Sequence, residues 1–237
     1  MNRKGHLYLI PCTLGENEPL EVLPITIKET IERINIFIVE NEKSARRFIK
    51  KITPEKSQPS LQFFILNKHT DITDLPNFLS SCSKGENVGL LSEAGCPGIA
   101  DPGADIVKIA HKKNIKVIPL VGPSSILLAL MSSGMNGQRF AFNGYLPIDK
   151  NERKNELRRL ERLSLEQNQS QVFIETPYRN NKMLEDITSA LGELTNVCVA
   201  CDITLSTEFI KTQTVNQWKK NMVDLHKRPT IFIIHKS

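Results

Sequence analysis

The chain has 237 residues, 40% of them hydrophobic and 24% charged, with 31 Lys and Arg against 26 Asp and Glu for a net charge of +5. That is ordinary globular composition, which excludes disordered and fibrous classes, and at about 150 residues per domain it allows one large domain or two small ones. No apolar run approaches the roughly 18 residues of a membrane span. The apolar stretch in MNRKGHLYLIPCTLGE is too short for a signal peptide, so a soluble, cytoplasmic protein is expected. The five cysteines (Cys12, Cys82, Cys96, Cys198 and Cys201) are odd in number and scattered, as in a reducing compartment. Cys198 and Cys201 form a CxxC inside the β-type run NVCVACDI. An offset of three places their side chains on opposite faces of a strand, which argues for structural thiols.

Hydrophobic periodicity predicts strands at 6–11, 35–39, 61–66, 87–92 and 115–121, alternating with helices near 25–33, 42–52, 71–82 and 103–114. That alternation is the pattern of a parallel sheet with helices on both faces. A helix at 123–133 leads to strand 139–145, helix 150–168, strand 171–176 and helix 178–191. Strands 196–203 and 207–213 follow back to back, then a helix at 215–224 and a last strand at 230–235. Adjacent strands joined by a short turn must run antiparallel, so the second sheet is expected to be mixed. Pro119, Gly122 and Pro123 interrupt the pattern and place the boundary between two α/β domains, 1–120 and 121–237. With so short a linker the halves are expected to pack together around a cleft.

Loops at the carboxyl ends of parallel strands are where open α/β sheets bind ligands. The segment NVGLLSEAGCPGIADPGA, 87–104, ends a strand at Ser92 and continues through a long loop with Gly95, Pro97, Gly98, Pro102 and Gly103. Asp101 and Pro102 read as the N-cap and first residue of the next helix, but capping does not explain the length of the loop. In PLVGPSSIL, 119–127, Pro123 can begin a helix whose positive end carries the hydroxyls of Ser124 and Ser125. In QVFIETPYRN, 171–180, Thr176 and Pro177 read as cap and first turn, leaving Glu175 as an acidic residue closing an apolar strand. The helix EKSARRFIKKI turns Ala45, Phe48, Ile49 and Ile52 inward, so Lys43, Arg46, Arg47, Lys50 and Lys51 form an outer basic face. Such a face is either solvated or contacts phosphates. The five histidines lack metal-ligand spacing, no metal is expected, and the dinucleotide, P-loop, zinc-protease and nucleophile-elbow motifs are absent.

Taken in order, LLSEAGCPGIADPGADIV, IPLVGPSSILLALMSSGM and FAFNGYLP resemble the tetrapyrrole methylase superfamily, and more narrowly its ribosomal RNA small subunit methyltransferase I branch. LYLIPCTLGE, IFIVENEKSARR, QVFIETPYR and LGELTNVCVACDIT extend the resemblance over nearly the whole chain. The resemblance implies homodimers of two-domain α/β subunits, a parallel N-terminal and a mixed C-terminal sheet, and S-adenosylmethionine in the interdomain cleft. By position the cofactor would meet Pro11, Ser92, Glu93, Ala94, Gly95, Cys96, Ile99, Ser124 and Ser125, together with Glu175, Ala200 and Thr230. The sequence departs from the branch after the second strand, where Glu40-Asn41-Glu42-Lys43 stands for an acidic pair followed by Thr-Arg. It departs again at Leu66-Asn67-Lys68-His69-Thr70 after the third strand.

The expected activity is methyl transfer from S-adenosylmethionine to ribosomal RNA, at a ribose 2′-O of a small-subunit nucleotide. A ribose hydroxyl must lose its proton, and Glu40 and Glu93 are the catalytic candidates by residue type. Lys43, Arg46, Arg47, Lys50 and Arg179 are the candidates for holding RNA phosphates. The alternatives are methylation of a tetrapyrrole or other small molecule, and a non-catalytic RNA- or ribosome-binding homologue.

Overall fold

The computed structural model describes residues 4–237, in two compact units, one ending at Ser124 and the other spanning Ser125–Ser237. The first unit contains β1 (Leu7–Ile10), α1 (Pro19–Val22), α2 (Ile25–Arg33), β2 (Ile36–Val39), α3 (Glu42–Ile52) and β3 (Gln62–Ile65). A 3-10 turn (Leu75–Leu79), α4 (Ser80–Ser83), β4 (Val88–Leu91), α5 (Gly103–Lys112) and β5 (Val117–Pro119) complete it. Its five strands run parallel in the order β3-β2-β4-β1-β5, with Val88 in register with both Leu7 and Ile36.

Strands β2 and β4, IFIV and VGLL, are buried at every position because helices cover both faces. On one face Ile27, Ile31, Ala45 and Ile49 of α2 and α3 pack on Ile10, Phe37 and Val39. On the other, Leu79, Cys82, Ile106 and Ala110 pack on Leu7, Ile38, Val88 and Leu90. The predicted helix at 71–82 is instead a 3-10 turn running into the single turn of α4. The Asp71 carboxylate accepts from the amide and hydroxyl of Thr73, a local competitor of helix, and Pro76 removes a backbone donor.

The sheet order explains where the unit can bind. Connections β1→β2 and β2→β3 run one way across the sheet and place α2 and α3 on one face. Connections β3→β4 and β4→β5 run the other way and place α4 and α5 on the opposite face. The chain leaving β4 therefore crosses to the opposite face of the sheet from the chains leaving its neighbours β1 and β2, and the carboxyl ends of these strands are where such a sheet binds ligands.

The second unit contains α6 (Ser125–Ser133), β6 (Phe140–Tyr145), α7 (Lys150–Gln167), β7 (Ser170–Ile174), α8 (Asn180–Ala190), β8 (Asn196–Cys201), β9 (Phe209–Thr214), α9 (Val215–Lys220) and β10 (Thr230–His235). The order is β6-β7-β10-β8-β9. Only β6 and β7 pair in parallel, so the sheet is mixed as expected, with β8 and β9 as an antiparallel hairpin. Leu157, Leu160, Met183, Leu184, Ile187 and Trp218 of α7, α8 and α9 bury one face against Phe173, Val197, Val199 and Phe232. The Trp218 indole donates to the Val197 carbonyl at 2.9 Å, which satisfies its one polar atom. Cys201 belongs to this core, while Cys198 lies on the alternate face of β8. Burial raises the pKa of both thiols, which fits the structural reading of the CxxC. Among the described residues no helix is long and apolar enough to cross a membrane.

Candidate functional site

In the first unit, the loops after β1, β4 and β5 are stitched together. Cys12 and Gly95 exchange backbone hydrogen bonds of 3.0 and 3.2 Å. The Ser92 hydroxyl donates to the Gly95 carbonyl at 2.7 Å, and the Cys96 thiol donates to the Pro123 carbonyl at 3.4 Å. Gly95 has φ +70°, a left-handed conformation that favours glycine. A Cβ on Gly122 would sit 2.3 Å from the Pro11 ring, so the β1 and β5 loops touch with no room for a side chain. The convergence of the 92–98 and 119–125 loops follows from the sheet, where β4 and β5 flank β1. Ala94 and Ile99 of the same loop are exposed, and Ser124 ends the unit.

The role of Asp101 differs from the cap expected of it. Pro102 is the N-cap and α5 begins at Gly103. The Asp101 carboxylate instead accepts from the amides of Gly98 and Gly103, each at 2.7 Å, and closes the loop on itself. Burial raises the Asp101 pKa against the opposing effect of those two bonds. Its charge reaches Glu40, whose carboxyl lies above the ordinary carboxylate range because of burial first, then Asp101, then Glu93. Burial and the Glu93 charge likewise push the Cys12 thiol far up, so it is protonated and unreactive at neutral pH.

Glu40 follows β2, and Glu93 follows β4 by one residue. Between them Asn41 caps α3, its side-chain oxygen accepting from the amides of Lys43 and Ser44 at 2.9 and 3.2 Å. The cap aims the Ser44 hydroxyl at Glu93 Oε1, 2.7 Å away. A cavity of about 300 Å³ lies beside this pair, lined by the loop from Cys12 to Asn17, by Ser44, Arg47, Phe48 and Lys51 of α3, and by Ser92 and Glu93.

The basic face of α3 is less available than its sequence implies. Arg46 pairs with Glu42 at 2.7 Å, donates to the Gln58 carbonyl and lies 4.5 Å over the Phe63 ring. Lys50 donates to the Pro54 carbonyl, and Lys51 pairs with Glu18. Among the described residues, the side chains of Lys43 and Arg47 have no hydrogen bond or ion pair, and both are exposed.

In the second unit the strand register brings Glu175, Ala200 and Thr230 to one end of the sheet. Ile231 pairs with Ile174 on one side and Ala200 on the other, and Thr230 pairs with Cys201. Ala200 is buried. The helix expected from 178 begins at Asn180, with Arg179 as N-cap, because the Thr176 carbonyl accepts from the Arg179 amide in a preceding turn. Glu175 has a structural partner the sequence did not reveal. Its carboxylate, 2% exposed, accepts from the Thr176 amide and from the Arg179 guanidinium, both at 2.6 Å. Arg179, named with α3 for phosphate contact, is thus committed within its own unit, as Arg46 is. Ser125 opens α6 directly, two residues after Pro123, where the sequence pattern would start it.

Sequence reading missed Ser44, Asn41 and the 12–17 loop as parts of this site. The Asn41 cap had a readable signal in an Asn before a helical pattern, whereas the Ser44 contact is non-local and had none.

No protein-family model matches the chain. It is 29% identical over 237 residues to the ribosomal RNA small subunit methyltransferase I of Buchnera aphidicola subsp. Schizaphis graminum, covering 99% of this chain and 79% of that one. It is 31% identical over 189 residues to the protein of the same name from Bacillus subtilis, covering 80% of this chain and 61% of that one. Among solved structures, that of the methyltransferase CobJ superposes with a TM-score of 0.64 at 14% identity, covering 98% of this chain and 95% of that one, a likeness of fold. By sequence the chain is similar to proteins named ribosomal RNA small subunit methyltransferase I, and by fold to tetrapyrrole methyltransferases. Its homologues and structural neighbours are methyltransferases.

Proposed function

We propose that this chain is an S-adenosylmethionine-dependent methyltransferase acting on ribosomal RNA of the small subunit, as a homodimer in the cytoplasm. The observation that carries the reading is the loop Ser92–Cys96, held against the ends of β1 and β5 in a chain whose relatives are named for that activity. The residues fit the cofactor. Glu40, Glu93 and Asp101 make the carboxyl ends of β2 and β4 acidic, which complements a ligand carrying a sulfonium and an ammonium group. Pro11, Ser92, the backbone of Glu93, Ala94, Gly95, Cys96, Ile99 and Ser124 of the first unit, and Ser125, Glu175, Ala200 and Thr230 of the second, are assigned to hold it. When bound, S-adenosylmethionine supplies a methyl group already activated for transfer.

The protein's own work is then to position the acceptor, exclude water and take a proton. Glu40 suits the last task. Its raised pKa makes it a better proton acceptor than an ordinary carboxylate. Glu93 is oriented by Ser44 at the cavity, and Lys43 and Arg47 supply the free positive charge for RNA phosphates. A tetrapyrrole acceptor rests on fold likeness at 14% identity alone.

The test is calorimetry with S-adenosylmethionine, followed by transfer of radiolabelled methyl groups to small ribosomal subunits lacking methylation. Micromolar cofactor binding with label in the RNA is expected. Absence of cofactor binding at high micromolar concentration overturns the proposal, and binding without transfer to any RNA leaves the non-catalytic reading in its place.

A further inference from the structure

We infer that the cavity beside Ser44 and Glu93 holds one nucleobase of the RNA, and that Glu93 reads an exocyclic amine on it while Arg47 grips the adjoining phosphate. The inference rests on the RNA reading above and assigns the part of the substrate that this cavity takes. At about 300 Å³ it stands at the lower end of small-molecule sites. That is the scale of a base with part of its sugar rather than of an extended chain.

Its lining is chemically mixed in a way that narrows the occupant. Leu14 and Phe48, both half-buried, give apolar surface for a flat ring. Glu93 is held by the Ser44 hydroxyl, so its carboxylate is oriented before anything binds. An ionised carboxylate only accepts hydrogen bonds and has more lone-pair sites than Ser44 occupies. Its complement is a donor. Cytosine, adenine and guanine each carry an exocyclic amine, whereas uracil has carbonyl oxygens in place of one, which a carboxylate repels, and its only base-edge N–H donor is the ring N3–H. Arg47 lines the same cavity and is the basic residue there whose side chain has no partner among the described residues, since Lys51 is paired with Glu18. A guanidinium matches phosphate geometry with two parallel donors. An occupant with an amine for Glu93, a flat apolar face for Phe48 and a phosphate for Arg47 is an amino-bearing nucleotide.

The experiment is fluorescence polarisation with the full chain and labelled single-stranded hexamers: all uridine, or uridine with one central cytidine or adenosine. The expected result is that the cytidine or adenosine hexamer binds at least about five-fold tighter than all-uridine. Glu93→Gln should remove that preference, and Ser44→Ala should reduce it with unchanged thermal stability, which guards against misfolding of the first variant. Arg47→Ala should weaken all three hexamers alike. Equal wild-type affinities, no binding of any hexamer, or an undiminished preference in folded Glu93→Gln overturns the assignment. Methyl transfer to ribosomal subunits without base preference defeats the pocket alone. Preference without cofactor binding or methyl transfer defeats the functional reading and leaves the pocket standing.

Discussion

The Ser44 hydroxyl donates a 2.7 Å hydrogen bond to Glu93 Oε1, joining the first turn of α3 to the loop after β4 across 49 positions of sequence. The Asn41 cap fixes the turn that carries the donor, and the Cys12–Gly95 bridge fixes the loop that carries the acceptor. Ser44→Ala should therefore lower methyl transfer several-fold while costing no more than about 1 kcal/mol, since the bond is solvent-exposed. Steady-state kinetics beside a thermal melt would check it. A large loss of stability with unchanged kcat would contradict the role given to the pair.

The methyl-transfer rate should depend on pH, with Glu40 as the proposed proton acceptor. Its raised pKa should produce an acidic limb on which the rate rises with pH, and Glu40→Gln should cost about 10²–10⁴-fold. Asp101→Asn removes a charge that raises that pKa while keeping an oxygen for the Gly98 and Gly103 amides. The limb should then move to lower pH. An unmoved limb would mean that another group takes the proton.

The same shift has a stability consequence of defined sign. With its folded pKa above the unfolded value of about 4.3, Glu40 contributes stability that is fully present below that value and lost as pH rises through the folded pKa. Glu40→Gln should thus raise Tm relative to wild type at pH 7.5, with the difference shrinking as pH falls below about 4. Melts at both pH values decide it.

Arg46 and Arg47 are adjacent but should behave differently. Arg46→Ala removes the pair with Glu42 and the contact over Phe63, and should lower stability by about 1 kcal/mol with a small effect on RNA binding. Arg47→Ala should leave Tm unchanged, weaken RNA binding and reduce the salt slope by about 0.7–0.9. Equal effects of the two variants on the slope would show that both contact phosphate.

In the second unit, Arg153 Nε lies 3.0 Å from Asp186 Oδ2, both residues are buried, and the guanidinium also donates to the carbonyls of Pro147 and Ile148. Removing Asp186 strands the buried Arg153 charge, and removing Arg153 leaves Asp186 only the longer 3.8 Å pair with Lys154. Asp186→Asn or Arg153→Met should each cost about 3–5 kcal/mol, with a double variant to apolar residues recovering much of that loss. Denaturant titrations would show it.

Much of the fold was legible because its signals are local. Strands such as IFIV and VGLL, buried on both faces, read as unbroken apolar runs, and α3 showed its inward stripe at helical spacing. The misreadings were also local in cause. The Asp71–Thr73 bonds and Pro76 supported a 3-10 turn where hydrophobic spacing alone implied a full helix. Asp101-Pro102 had the look of a cap, yet the carboxylate bonds backward to Gly98 as well as forward to Gly103. For Arg46 the i,i+4 partner Glu42 stood in the same helical pattern, whereas Arg179 showed charge but not partner, because Glu175 reaches it only through the turn before the helix.

By itself the sequence determined the alternation of strands and helices, the two sheets with their different pairing, and the Ser92–Cys96 and 119–125 loops as the places to look. Each follows from periodicity and turn chemistry within about 20 residues, which the chain carries whether folded or not. Only the tertiary structure decided that β4 stands between β2 and β1. That order brings Glu40, Glu93 and Asp101 within electrostatic reach, seats Ser44 on Glu93, and forms an open pocket beside Arg47. Strand order and side-chain pairing arise from burying whole faces against one another, so no local window of sequence contains them.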